Sequence, residues 1–75
     1  MKGLDKLNIG EEATVIKLEK RNRRLEDLGL VEGTKIKCIL KSPLGDPIAY
    51  IIRGAVIAIR KEMGKNILVE VMDRG

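Results

Sequence analysis

The sequence predicts a mainly β domain: a small barrel of about five strands with one short helix after the first strand. Two observations lead to this prediction. Short segments of alternating or β-branched residues recur along the chain, and glycine- or proline-containing turns separate most of them. One segment, residues 20–30, has instead the leucine spacing and the end residues of a helix.

The predicted strands are short and follow one another closely. They run over residues 13–19, 34–40, 48–53, 55–61 and 67–71. The second alternates most clearly, so Ile36, Cys38 and Leu40 are predicted to face the core and Lys35 and Lys37 the solvent. On that inner face Cys38 is interpreted as a small core hydrophobe without a redox role.

Residues 20–30 have the features of a short helix with defined ends. Asn22 is a suitable N-cap residue. Gly29 stands where a left-handed residue ends a helix, which brings Leu25 and Leu30 into the hydrophobic contact of a Schellman motif. A helix of about two turns is marginal alone, so Leu25 and Leu28 are predicted to pack on the sheet.

The charges on this helix are reversed relative to its dipole. Arg23 and Arg24 lie near its positive N-terminal end, and acidic residues lie near the other end. Two interpretations remain open at this point: a functional arm of basic residues, or an ordinary solvated face.

Tight connections join the other elements. Leu4 and Leu7 form an apolar segment before the first strand, and residues 42–47 form a hairpin loop rich in turn residues. Residues 53–54 form a tight turn or bulge, and residues 62–66 form another turn. Five short strands in 75 residues must curl to bury one face, which favours a partly open barrel of the SH3-like type over an OB fold.

The composition argues against catalysis. The chain has no histidine, one cysteine and no phosphate-binding loop, so it lacks the usual groups for acid–base chemistry, a zinc site or nucleotide binding. We therefore predict neither an enzyme nor a bound cofactor or metal.

Charge and hydrophobicity indicate the compartment. A formal charge of +4 is moderately basic, and an unpaired cysteine without a leader segment favours a reducing cytoplasm. The longest apolar run, residues 48–59, is too short to span a bilayer and contains Arg53. We expect a cytoplasmic protein that does not span the membrane.

That apolar run also presents a packing problem. Ile48, Tyr50 and Ile52 cannot share one barrel face with Ala49 and Ile51. Either the helix and the N-terminal segment cover the outer face, or an apolar patch is exposed there and marks a partner site.

The chain resembles the ferrous iron transport protein A (FeoA) family, whose members are small cytosolic SH3-like modules. The resemblance covers nearly all of residues 1–75, which we interpret as one domain. The matching features are the Leu4, Leu7 and Gly10 segment, Arg23-Arg24-Leu25-x-x-Leu28-Gly29-Leu30-x-x-Gly33, Gly45-Asp46-Pro47-Ile48, Arg53-Gly54, Ile59-Arg60-Lys61, Ile67 and Val69. The sequence departs from the family pattern at Glu32, where proline is common, and around Met63 and Gly64, where alanine is frequent.

The resemblance implies a partner: the ferrous iron transporter FeoB, a membrane protein with a cytosolic GTPase domain. A family member of this kind would bind its cytoplasmic side and support or regulate uptake, without itself carrying iron. For the contact we predict the basic helix arm for electrostatic steering and exposed residues near the hairpin as anchors. The predicted contact residues are Arg21, Arg23, Arg24, Pro43, Leu44 and Tyr50.

Other functions remain open. Small barrels often bind nucleic acid, and the lysines and arginines around residues 20–41 could follow phosphates, but Tyr50 alone makes no aromatic platform. We therefore expect no nucleic-acid partner. The chain could also be a stand-alone module that binds another protein, or pair with a second copy along an edge strand.

Overall fold

The computed structural model describes residues 1–72, and these form one six-stranded antiparallel sheet with two short α-helices. The last three residues of the predicted domain, 73–75, lie outside the described part. The elements are β1 (Lys2–Gly3), a 3-10 turn (Leu4–Lys6), β2 (Glu12–Leu18), α1 (Arg23–Asp27), β3 (Lys35–Lys41), β4 (Ile48–Ile52), β5 (Ala55–Ile59), α2 (Lys61–Gly64) and β6 (Ile67–Val71). The strand order is β1-β6-β2-β3-β4-β5, so the predicted mainly β fold is confirmed.

The core is built almost wholly from aliphatic side chains on the inner face of this sheet. In β2 to β6 the buried residues stand at alternate positions, as the period of a strand requires. Every main element except β1 and α2 contributes a large side chain to the hydrophobic cluster, and the half-buried Met63 of α2 packs against it. A chain with one aromatic residue thus fills its core mainly with leucine, isoleucine and valine.

Helix α1 begins and ends as predicted. The side-chain oxygen of Asn22 accepts a hydrogen bond from the Leu25 N–H at 3.0 Å. At the other end, the Leu30 N–H donates to the Leu25 carbonyl and the Gly29 N–H to the Glu26 carbonyl, both at 2.9 Å. These two bonds, with Gly29 at φ +95°, are those of a Schellman motif, and Leu25 and Leu30 are fully buried.

Four details of the prediction are wrong. Leu40 is 62% exposed, because a bulge between Cys38 and Leu40 reverses the side-chain alternation at the end of β3. Leu28 is 40% exposed and lies at the C-terminal cap of α1. The predicted turn over residues 62–66 is largely the helix α2, and the N-terminal segment contributes a sixth strand, β1.

The structure leaves the outward-facing side chains of the apolar run, residues 48–59, exposed to solvent. Ile48, Tyr50 and Ile52 face the core, whereas Ile51 of β4 and its cross-strand partner Val56 of β5 face outward. Helix α1 packs its buried leucine into the core and leaves these outward side chains exposed.

Candidate protein-binding site

The predicted basic arm lies at the start of α1. Arg21, Arg23 and Arg24 are all exposed. The Arg21 Nε donates to the Glu26 carboxylate at 2.9 Å, so this arginine is held against helix α1. Arg23 and Arg24 make no ion pair within residues 1–72, so their charges face solvent.

The predicted hairpin residues lie in the loop between β3 and β4. Leu44 is 95% exposed, and Pro43 beside it is also exposed. The loop is held in shape by its own hydrogen bonds: the Ser42 hydroxyl donates to the Pro47 carbonyl at 2.8 Å, and the Gly45 N–H donates to the Ser42 carbonyl at 2.7 Å. A large apolar side chain therefore stands in solvent on an ordered loop.

Tyr50 is not a surface residue, and its predicted exposure is wrong. Its side chain is 1% exposed, and its hydroxyl donates to the Leu4 carbonyl at 3.2 Å. Burial raises the pKa of this phenol well above its usual range. The residue lies on the core face of β4, so it offers no contact to a partner.

Helix α2 lies between the arm and the hairpin loop. The Asp46 carboxylate in the loop accepts a hydrogen bond from the Lys61 N–H at 2.9 Å, which fixes the start of α2. On its other side, the Asn22 side-chain amide donates to the Met63 sulfur at 3.2 Å. The structure thus places the arm and the loop on either side of one short helix.

A cleft of about 290 Å³ opens between the start of α1 and α2. Most of its charged rim is cationic, and its floor is apolar. It is lined by Lys20, Arg21, Asn22, Leu25, Arg60, Glu62, Met63, Lys65, Asn66 and Ile67.

The outer face of β3, β4 and β5 forms a second exposed surface. Ile51 pairs with Lys37 of β3 on one side and with Val56 of β5 on the other. Val56 is 66% exposed. This apolar strip adjoins a shallow depression whose lining includes Lys35, Lys37 and Arg53.

Two titratable groups outside these surfaces, Cys38 and Glu11, have structural roles. Burial raises the pKa of the Cys38 thiol, so this residue stays a neutral core group. The pKa of Glu11 is lowered, chiefly because the Asn8 N–H donates to its carboxylate at 2.7 Å and also because Lys2 lies close by. Within residues 1–72, no group of three or more acidic, cysteine or histidine side chains is arranged to hold a metal ion.

The family model described as the FeoA domain matches residues 2–71 of this chain. The chain belongs to the FeoA family. The family is implicated in ferrous iron transport, and its SH3-like fold agrees with the curled six-stranded sheet.

Relatives of this FeoA chain include a fusion protein and solved structures. The Fe(2+) transport protein A/Fe(2+) transporter FeoB fusion protein of Porphyromonas gingivalis is 31% identical over an alignment of 72 residues that covers 92% of this chain and 8% of that protein. The FeoA protein of Chlorobium tepidum superimposes with a TM-score of 0.89 and is 37% identical, covering 97% of this chain and 71% of that one. The Stenotrophomonas maltophilia FeoA, solved with zinc and described as an SH3 domain protein, has a TM-score of 0.80 and 25% identity, covering 93% of this chain and 91% of that one.

Sequence reasoning missed part of the charged surface of this FeoA chain. Arg60 was predicted at the end of a strand and Lys65 in the turn that follows it, and the structure brings both to the cleft beside Lys20 and Arg21. The sequence predicted no common site for them, because only the packing of α2 against the start of α1 makes these four cations neighbours. The described residues contain no helix long and apolar enough to cross a bilayer.

Proposed function

We propose that this chain is a cytosolic adaptor that binds the cytoplasmic side of a FeoB-type transporter and supports or regulates ferrous iron uptake. In this role it is a single domain over residues 1–75, not an enzyme, and it neither carries iron nor hydrolyses nucleotide. The observation that carries the proposal is the P. gingivalis relative, in which a segment like this chain and a FeoB transporter form one polypeptide. Two proteins that are fused in one organism commonly work together in another.

The arm and the hairpin loop are the proposed contacts. Arg23 and Arg24 present charges that have no ion-pair partner among residues 1–72 and would steer an acidic partner surface. Pro43 and Leu44 present apolar area on an ordered loop, so little conformational freedom is lost when they are covered. Arg21 extends the arm, although Glu26 offsets its charge.

The test measures binding to the isolated cytosolic domain of a FeoB-type transporter. We expect the wild-type chain to bind, and the R23E/R24E double variant to bind with a dissociation constant raised about tenfold or more. The matched control is K35E/K37E on the outer face of β3, which changes the net charge by the same amount. No binding by the wild-type chain overturns the proposed function.

A second assay separates this function from that of a module serving another protein. Deletion of the chain is expected to lower ferrous iron uptake in cells, and the wild-type chain to restore it. Uptake that is unaffected by the deletion favours a different partner.

Nucleic-acid binding has weaker support, because the one aromatic residue is buried and no base can stack on it.

A further inference from the structure

We infer that the cleft between the start of α1 and α2 binds an acidic peptide segment of the partner protein, with one aliphatic side chain of that segment against the cleft floor. The inference rests on the proposed function for the identity of the partner. It deepens that function by naming a surface other than the exposed arm and the chemistry that this surface recognises.

The charge of the cleft is the first argument. Lys20, Arg60 and Lys65 line it and make no ion pair within residues 1–72. The fourth cation, Arg21, is paired with Glu26, and Glu62 is the only carboxylate among the lining residues. Three cations without an ion pair, set against one carboxylate on the same concave surface, leave an excess of positive charge that is complementary to carboxylates of a ligand.

The floor of the cleft is the second argument. Leu25 and Ile67 are buried beneath it, and Met63 is half-buried at its surface. The Met63 sulfur accepts a hydrogen bond from Asn22, which holds the side chain at its sulfur and leaves the terminal methyl group free to turn. Methionine surfaces suit varied aliphatic partners because the side chain is unbranched and polarizable.

The walls of the cleft are held independently of any ligand. Asn22 caps α1, and Asp46 holds the start of α2 through the Lys61 N–H. At the end of α2, the buried Gly64 lies against the backbone of Asp5 in the 3-10 turn. A preformed site loses little conformational entropy on binding, which favours affinity for a flexible segment.

A peptide fits this surface better than a nucleic acid. Single-stranded nucleic acids are bound by stacking on aromatic side chains, and none of the lining residues is aromatic. An extended segment that crosses the cleft and inserts one side chain uses both the charged rim and the apolar floor.

The probe is the capped peptide acetyl-Asp-Glu-Leu-Glu-Asp-amide, titrated into the isotope-labelled chain and followed by backbone amide chemical shifts. We expect shifts concentrated at residues 20–22 and 62–67, which weaken as salt is added. The neutral counterpart acetyl-Asn-Gln-Leu-Gln-Asn-amide is expected to bind at least about tenfold more weakly. A short oligouridylate is the third probe and is expected to give smaller shifts at the same concentration.

Charge variants locate the site. R60E/K65E is expected to lose at least about tenfold in affinity for the acidic peptide, whereas K35E/K37E retains wild-type affinity. The neutral variant R60Q/K65Q is expected to give an intermediate loss of affinity. It serves as the control if the charge-reversed variant R60E/K65E does not fold. Equal binding of the acidic and neutral peptides, shifts confined to the outer face of β3–β5, or tighter binding of the oligouridylate overturns the inference.

The same variants separate this inference from the proposed function. If the FeoB cytosolic domain binds the wild-type chain and R60E/K65E equally, the cleft is not its contact and the inference fails while the function stands. If the acidic peptide occupies the cleft but the FeoB domain does not bind, the transporter is the wrong partner and the peptide site remains.

Discussion

Asn22 joins two elements through the two ends of its side-chain amide. Its oxygen accepts from the Leu25 N–H and caps α1, and its nitrogen donates to the Met63 sulfur of α2. The sequence predicted the first contact, because capping is a local property of the residues that follow. The second depends on a residue 41 positions away and has no local sign in the sequence.

Substitution of Asn22 by alanine removes both contacts. We expect N22A to lower the free energy of unfolding by about 1 kcal/mol, the usual cost of losing an N-cap. N22D keeps the capping oxygen but lacks the donor to Met63, so it isolates the contact between the helices. Urea denaturation measures both variants, and a loss in N22A no larger than in N22D would contradict the capping role.

Glu11 makes the stability of the folded chain depend on pH. Its carboxylate accepts from the Asn8 N–H and lies 3.4 Å from the Lys2 ammonium, so its pKa in the folded chain is below its ordinary value of 4.5. A lowered folded pKa contributes stability that is complete above pH 4.5 and is lost as the pH falls through the folded value. This contribution orders the turn that leads into β2.

E11Q is expected to be less stable than the wild-type chain at neutral pH, because glutamine cannot carry the charge. The difference in the free energy of unfolding is expected to shrink as the pH is lowered below 4.5, where the wild-type carboxylate becomes protonated. Parallel urea denaturation of both chains across this range provides the measurement. A difference that stays constant with pH would show that the charge of Glu11 does not matter.

At the scale of the elements, two turns meet at the C-terminal end of α1. Arg53 and Gly54 connect β4 to β5 with φ values of +51° and +82°, as a type I′ hairpin turn requires. Arginine is unfavourable at such a φ, but the Arg53 Nε donates to the Gly29 carbonyl at 3.2 Å. The hairpin tip is thereby attached to the Schellman ending of α1, a contact between two features that the sequence showed separately.

Gly29 and Gly33 form a matched pair for testing this attachment. Both have a positive φ, of +95° and +89°, but a Cβ on Gly29 would lie 2.6 Å from the Arg53 Cδ, whereas a Cβ on Gly33 meets nothing within 4 Å. We expect both alanine variants to lose about 1–2 kcal/mol of stability from the left-handed backbone. G29A is expected to lose more, because it also displaces the arginine.

The control is the same pair of substitutions in an R53A background. There the excess loss of G29A over G33A is expected to vanish, which thermal or urea denaturation can measure. An excess that persists without Arg53 would place its cause elsewhere.

At the scale of the whole molecule, Tyr50 joins the N-terminal segment to the sheet. Its hydroxyl reaches the Leu4 carbonyl 46 residues away, between β4 and the 3-10 turn, while the ring fills the core. The sheet stays open at β5, the strand next to β4, because β5 is an edge strand with Val56 exposed. Pairing of two copies along this edge stays a prediction that sedimentation can test.

Y50F keeps the ring but removes the hydrogen bond from the hydroxyl to the Leu4 carbonyl, which still accepts from the Leu7 N–H. We expect it to lower the free energy of unfolding by about 1 kcal/mol, the usual net contribution of one hydrogen bond. V56T on the exposed edge is the control and is expected to change stability by no more than about 0.5 kcal/mol. Equal effects of the two substitutions would show that the Tyr50 hydroxyl does not support the fold.

The sequence by itself determined the mainly β class, the two ends of α1 and the burial of Cys38. These follow from local rules: side-chain alternation, capping and the left-handed glycine act over a few residues. Only the tertiary structure decided the face of Leu40, the burial of Tyr50 and the cleft that gathers Arg60 and Lys65 beside Lys20. These positions depend on a bulge in β3, on a hydrogen bond between residues 46 positions apart and on the packing of two helices. None of these features can be read from a short stretch of the chain.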